Sequence, residues 1–332
     1  MNLATDRVTL GPALDISFLR TLRIPDDGKT YPLPPGLGRF PIRSVDDYAS
    51  KVPAEWREKG GIFLPMYQRE AMWISFSGQY FKPRAVKIGL GKVCALTAER
   101  WKDGLSDDPQ NYLVTPPQPW LDGIAVKKGI IRQFVAMPLG LGYTVEGQVT
   151  GEEAVGGLQI QVFEPKAGRF PDEPPPVMRS RGMGGSPAPM ACAPAPCAAP
   201  GAMGLAAGGR MKQSIYTDPH GKETWDLQNS ARLFVHIVNS EMWREITGEE
   251  PPASPISAKD YTNHRLPWFE LYDESVPAIQ GSSKLASLKS VKEMDAEKST
   301  RPLQDDGSVS VGPVTKLWNA LGQAVGVRDG KW

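Results

Sequence analysis

A chain of 332 residues is long enough for one large domain or two ordinary ones, each able to bury a core without disulfides or a structural metal. Its 38 basic and 37 acidic residues leave a formal charge of +1, and no basic block follows that could track a phosphate backbone, so nucleic acid is not an expected partner. Glycine (34) and proline (32) together make about a fifth of the chain, a composition that favours many short strands over long helices.

The opening MNLATDRVTLGPALD lacks a basic segment followed by an apolar one, and no apolar run nears the ~20 residues that cross a bilayer. No N-x-[ST] site occurs, and the three cysteines, Cys94, Cys192 and Cys197, are an odd set that does not read as a disulfide framework. These features together predict a cytoplasmic chain without a membrane span.

In chain order, residues 1–60 are rich in loops. YPLPPGLGRFP at 31–41 runs extended, because each proline removes a ladder donor and restricts the residue before it. Ser44, followed by Asp47, caps a short helix that stops by about Val52, ahead of Pro53. From Gly61 the pattern is that of strands: 62–67, 71–76 and 84–96 are β-branched or aromatic and are separated by glycine, proline and polar turns. Residues 130–137 follow a Lys127-Lys128-Gly129 turn, and Leu158, Ile160 and Val162 alternate with glutamines. Between them, 143–150 alternates Tyr143, Val145 and Val149 with Thr144, Glu146 and Gln148, which predicts a half-buried antiparallel strand. The first 170 residues thus read as a β-sandwich or open barrel.

From Pro171 to Arg210 leucine, isoleucine, valine and phenylalanine nearly vanish in favour of Pro, Ala, Gly and Met. Such a segment cannot bury enough apolar surface to offset its ordering entropy and is expected to be a linker or long loop. Strands are expected at 211–216 and 231–238, the latter apolar on both faces, followed by short helices at 239–248 and 257–264. Residues 282–297 read as one helix with a narrow apolar edge. The 211–297 stretch either forms its own unit or completes the first core. A polar linker spans 298–312, and at 313–326 Val314, Leu317, Trp318, Leu321 and Val325 make an apolar helical stripe. The fold class is therefore mainly β with added short helices (α+β).

The motifs that fix a chemistry are missing. Gly28-Lys29-Thr30 ends like a phosphate loop, but Arg23 stands where its first glycine belongs. No G-x-S-x-G elbow occurs, and His220, His236 and His264 are scattered, His236 within an apolar strand. No cofactor is expected. A metal could be met only by Cys192 and Cys197 with the nearby methionines, a soft donor set suited to Cu(I). Asp122, in the turn Trp120-Leu-Asp-Gly, and Glu146 are candidate catalytic acids, and Trp120 and Trp268, each beside a proline, are candidate platforms for a sugar. The terminal stripe is a candidate partner-binding helix, since ~14 residues are marginal as an isolated helix and their apolar face must dock on this chain, another copy or a partner protein. The leading expectation is thus a non-enzymatic binding or self-assembling scaffold, with homo-oligomers permitted by the near-zero charge. A carbohydrate-binding or carbohydrate-active protein is the alternative, and soft-metal binding the third.

Overall fold

The computed structural model describes residues 1–153, 155–174, 201–271, 276–300 and 307–316. The chain is mainly β, built on a large and mostly antiparallel sheet with short helices at its margins. Its principal strands are β1 (Leu14–Thr21), β2 (Ile62–Pro65), β3 (Ala71–Ser77), β4 (Arg84–Leu90), β5 (Ile130–Pro138), β6 (Leu158–Pro165), β7 (Ala202–Lys212) and β8 (Trp225–Val238).

Hydrogen bonding runs from β1 to β3, where Ile16 faces Phe76, and from β3 to β5 through Phe134 and Met72. It continues through β7, which lies along β5 from Ile130–Lys212 to Pro138–Met203, and through β8, where Ala202 meets Val238. β6 then pairs with β8 on one edge and β4 on the other. Leu14, Ile16 and Phe18 at one end of this series share a core with Val86, Ile88 and Leu90 at the other, so the sheet curls over its own apolar face. In β3 the alternation is plain: Met72, Ile74 and Phe76 point inward, and Trp73, Ser75 and Ser77 are more exposed.

Two strands reach further back than the composition implies. β7 begins at Ala202, so residues 202–210 of the expected linker belong to the sheet. There Gly204, Ala206 and Gly208 need no bulk of their own, because neighbouring Val135, Leu139 and Thr144 side chains fill the space where a Cβ at Gly204 or Gly208 would sit. β8 begins at Trp225, and its 226–230 portion is largely solvated while pairing with β6.

Like Thr30–Tyr31, which runs parallel to the end of β7, β2 departs from the antiparallel rule, running parallel to β8 with Ile62 opposite Val235. Gly61 admits this approach. Its φ is +93°, and a Cβ there would lie 2.2 Å from the Phe234 carbonyl oxygen. Gly61→Ala combines a strained backbone with an unrelievable backbone clash and is expected to lower unfolding free energy by on the order of 3 kcal/mol, read by urea denaturation. A loss below about 1 kcal/mol would mean that the β2–β8 contact is loose.

Residues 143–150 are not a strand. Val145–Thr150 is a helix, α1, whose Thr144 Oγ1 accepts from the Gly147 amide, while Glu153 accepts from the Gly142 and Thr144 amides and the Thr144 hydroxyl. Period-2 patterning lost to this local capping. Likewise, 282–297 is two helices, Ser283–Ala286 and Val291–Glu297. The second starts from a capping box in which the Ser290 hydroxyl accepts from the Glu293 amide and the Glu293 carboxylate from the Ser290 amide. The expected helix at 239–248 is present as Ser240–Thr247, and that at 257–264 as Ala258–Asn263.

Candidate functional site

Segment 213–218 continues from the end of β7 and is bonded along one edge to 277–279, where the Ile279 amide donates to the Ile215 carbonyl and the Thr217 amide to the Pro277 carbonyl. Gln110 and Gln118 serve its other edge, and Gln213 reaches Asp122. The Gln110 side-chain amide donates to the Tyr112 and Tyr216 carbonyls, while its oxygen accepts from the Asp218 amide. The Gln118 amide donates to the Ser214 carbonyl, and its oxygen accepts from the Tyr216 amide. Gln213 accepts from the Asp122 amide at 2.9 Å and donates to the Asp122 carboxylate at 2.6 Å. Buried side-chain amides satisfy the backbone groups that a ladder would otherwise satisfy.

These bonds fix Gln213 and Ser214 at the floor of a cleft of about 500 Å³. Thr30 and Pro32 form one wall, the Lys128-Gly129-Ile130 turn another, and Phe269, Glu270, Val276 and Ala278 the third. The third wall is held to the body at Leu33 and Phe269, which exchange two backbone hydrogen bonds of 2.9 Å. Sequence reasoning marked the Lys127-Lys128-Gly129 turn but not the cleft, because its walls come from segments up to about 250 residues apart.

Asp122 lies behind Gln213, 4% exposed, and burial pushes its carboxyl up to about 7 against the pull of its hydrogen bonds. Glu146, the second candidate acid, is not on a polar strand face. It is buried in α1, and its carboxylate accepts from the amides of Lys92 at 3.0 Å, Gly156 at 3.0 Å and Val155 at 3.3 Å. A Cβ at residue 91 would fall 2.2 Å from this carboxylate, so glycine is required there. Glu146 is an anchor for two loops, fully engaged by backbone donors.

Trp268 does not serve as a displayed platform. It is fully buried in the main core, with its ring 6.1 Å from Tyr31 and 6.3 Å from Tyr261, and its amide donates to the Pro313 carbonyl. Trp120 is half-buried and stands edge-on to Trp73, ring centroids 5.3 Å apart, on the outer side of β3.

His236 is buried, stacked on Trp56 at 4.5 Å, with Nε2 3.0 Å from the Gly60 carbonyl, and burial drives its pKa down to about 4. Cys94 is buried, as its strand position implies, and Cys192 and Cys197 lie outside the described residues. Among the described residues no group of three or more His, Cys, Asp or Glu is placed to hold a metal ion, and no helix is long and apolar enough to cross a membrane.

Of the C-terminal stripe, Leu317, Trp318, Leu321 and Val325 lie outside the described residues. Val314 does not begin a helix: Val314–Lys316 is a strand parallel to Trp268–Glu270. Pro313 cannot donate, but its carbonyl accepts from the Trp268 amide, and Ser308 bonds to Asp27 and Lys29. The segment 307–316 is therefore part of the folded body. A chain ending at Glu297 loses the strand paired with Trp268–Glu270 and is expected to melt at least about 4 °C below one ending at Lys316 by calorimetry. Light scattering on the full chain and on 1–316 separates assembly through the tail from this stabilising role: an oligomer lost in 1–316 places assembly beyond Lys316, and equal masses exclude it. No protein family, curated protein or solved structure matches this chain.

Proposed function

We propose that this chain is a non-enzymatic binding protein whose β body holds a small organic ligand in the cleft above Gln213 and Ser214. The observation that carries the reading is the cleft itself. Its volume falls in the ~300–1,000 Å³ range of small-molecule sites, and its lining combines Pro32, Ile130, Phe269 and Val276 with polar groups, of which Gln213 is fixed by buried hydrogen bonds. The candidate acids support binding over catalysis, since Glu146 is committed to backbone amides and Asp122 is screened from the cleft by Gln213. His236, the buried histidine, is held neutral in the usual working range of a base.

Ligand-observed NMR with a library of small organic molecules tests this on the full chain and on Ala278→Trp, which fills the cleft. Hits abolished by Ala278→Trp support the reading. Hits that survive it, or a library with none, overturn it.

A second reading, carbohydrate binding, is favoured by one observation, the half-exposed Trp73–Trp120 pair beside Ser75 on the sheet's outer face. Glycan-array binding lost in Trp73→Ala would support it, and an array without a hit would remove it.

A further inference from the structure

The charges at the cleft rim are unbalanced. Glu270 supplies the carboxylate of the lining, and it already faces Lys212 at 3.5 Å and Lys316 at 4.0 Å. Lys128, on the opposite wall at the tip of the turn before β5, makes no ion pair or hydrogen bond among the described residues. Exposed at the tip of the turn, its ammonium has no carboxylate partner among the described residues. The Ser214 hydroxyl, on the floor and near the same turn, is likewise unused as a donor among the described residues, although its carbonyl is taken by Gln118.

Of the remaining lining Thr30 and Gln213 are polar, and Pro32, Ile130, Phe269, Val276 and Ala278 are apolar. Ile130 and Phe269 are each only partly buried, with one side packed on the core and the other toward the cleft. A neutral polar molecule would leave these surfaces unmatched, and a purely hydrophobic one would leave Lys128 and Ser214 unmatched. A polyanion would meet Glu270. Complementarity in charge and polarity therefore selects one kind of occupant.

We propose that the cleft takes an amphipathic organic monoanion, its charged group at Lys128 and Ser214 and its apolar body between Ile130 and Phe269. The proposal rests on the cleft-binding reading above and specifies its ligand class. A charge-assisted hydrogen bond to Lys128 corresponds to roughly a tenfold difference in affinity.

The test uses two fluorescent probes with the same apolar framework, anionic 8-anilinonaphthalene-1-sulfonate and uncharged N-phenyl-1-naphthylamine, titrated into the full chain. The anion is expected to bind more tightly. Lys128→Ala is expected to weaken it about tenfold while leaving the neutral probe within about twofold, and Lys128→Arg to restore it. Ala278→Trp, or Val276→Trp if the first variant misfolds, is expected to abolish both signals. Equal binding of the two probes, indifferent to Lys128 but lost in the filled cleft, overturns the anion inference and leaves cleft binding standing. Binding of neither probe, or binding unchanged in a folded filled-cleft variant, overturns both.

Discussion

Arg84→Ala is expected to destabilise the chain by about 3–5 kcal/mol, the cost of breaking a buried ion pair from one side. Arg84 is 1% exposed at the start of β4, and its Nε donates to Glu164 Oε1 at 2.7 Å. The rest of the guanidinium is held by the Lys82 carbonyl at 3.2 Å and Gln79 Oε1 at 3.4 Å, so little of its donor capacity faces water. Alanine removes the cation but leaves the Glu164 carboxyl, 6% exposed near the end of β6, in a low-dielectric setting. That carboxyl must then take up a proton, draw in water or shift the strand, and each response costs free energy. The double variant Arg84→Met, Glu164→Leu separates loss of attraction from stranded charge. It should recover most of the stability, since apolar isosteres remove both desolvation penalties. Urea unfolding of the three proteins reads the cycle. A single-variant loss under 1 kcal/mol would show that solvent reaches Glu164, and a double variant as unstable as the single would show that the pair itself is strongly favourable.

Arg84 also shows where the sequence was legible. The strand at 84–90 is apparent from Ala85, Val86, Ile88 and Leu90, yet Arg84 and Lys87 are as buried as their neighbours. Nothing in the periodicity says that Glu164, 80 positions away, or the Lys102 and Gly104 carbonyls would satisfy them. The mainly β class follows from local chemistry, from β-branched residues between glycine and proline turns, and the helix at Ser240–Thr247 follows from Asn239 and Gly248 at its ends. Residues 143–150 went astray because alternation is weak over eight positions and the Thr144–Gly147–Glu153 capping set outweighs it. Residues 202–210 were read as linker because their small side chains signal poor cores in isolation. In the fold Gly204 and Gly208 are required to be small by Val135 of β5 and by Leu139 and Thr144 just beyond it. The cleft was the least legible part, since Pro32, Ile130, Ser214 and Phe269 meet only through the pairing of distant segments. Trp268 illustrates the same limit: the dipeptide with Pro267 suggests display, but in the fold the ring lies in the core beside Tyr31, more than 230 positions earlier, and Tyr261.

The second large effect is on pH, and it is hidden in the parent chain because two buried groups act in opposite senses. Asp122 has a folded pKa of about 7 against an ordinary 3.8. Between these values the unfolded chain has released the proton and the folded chain retains it, so stability falls as pH rises, by about 1.4 kcal/mol per unit and about 4 kcal/mol in all. His236 has a folded pKa of about 4 against an ordinary 6.5. In that window the unfolded chain holds the extra proton, so stability rises with pH, by about 3 kcal/mol in all. From pH 4 to 6.5 the two slopes nearly cancel, and only between 6.5 and 7 does Asp122 act alone. Asp122→Asn, which keeps an acceptor for Gln213, should therefore be markedly more stable at pH 7 than at pH 4.5 relative to the parent. His236→Gln, which keeps a donor for the Gly60 carbonyl, should show the reverse dependence. Denaturant unfolding of the parent, both single variants and the double across pH 4–8 gives the difference curves. Opposite slopes of about one proton each, vanishing in the comparison of parent with double variant, are the expected outcome. A flat Asp122→Asn difference would mean that water reaches Asp122 around Gln213, and with it that the floor of the cleft is open rather than sealed.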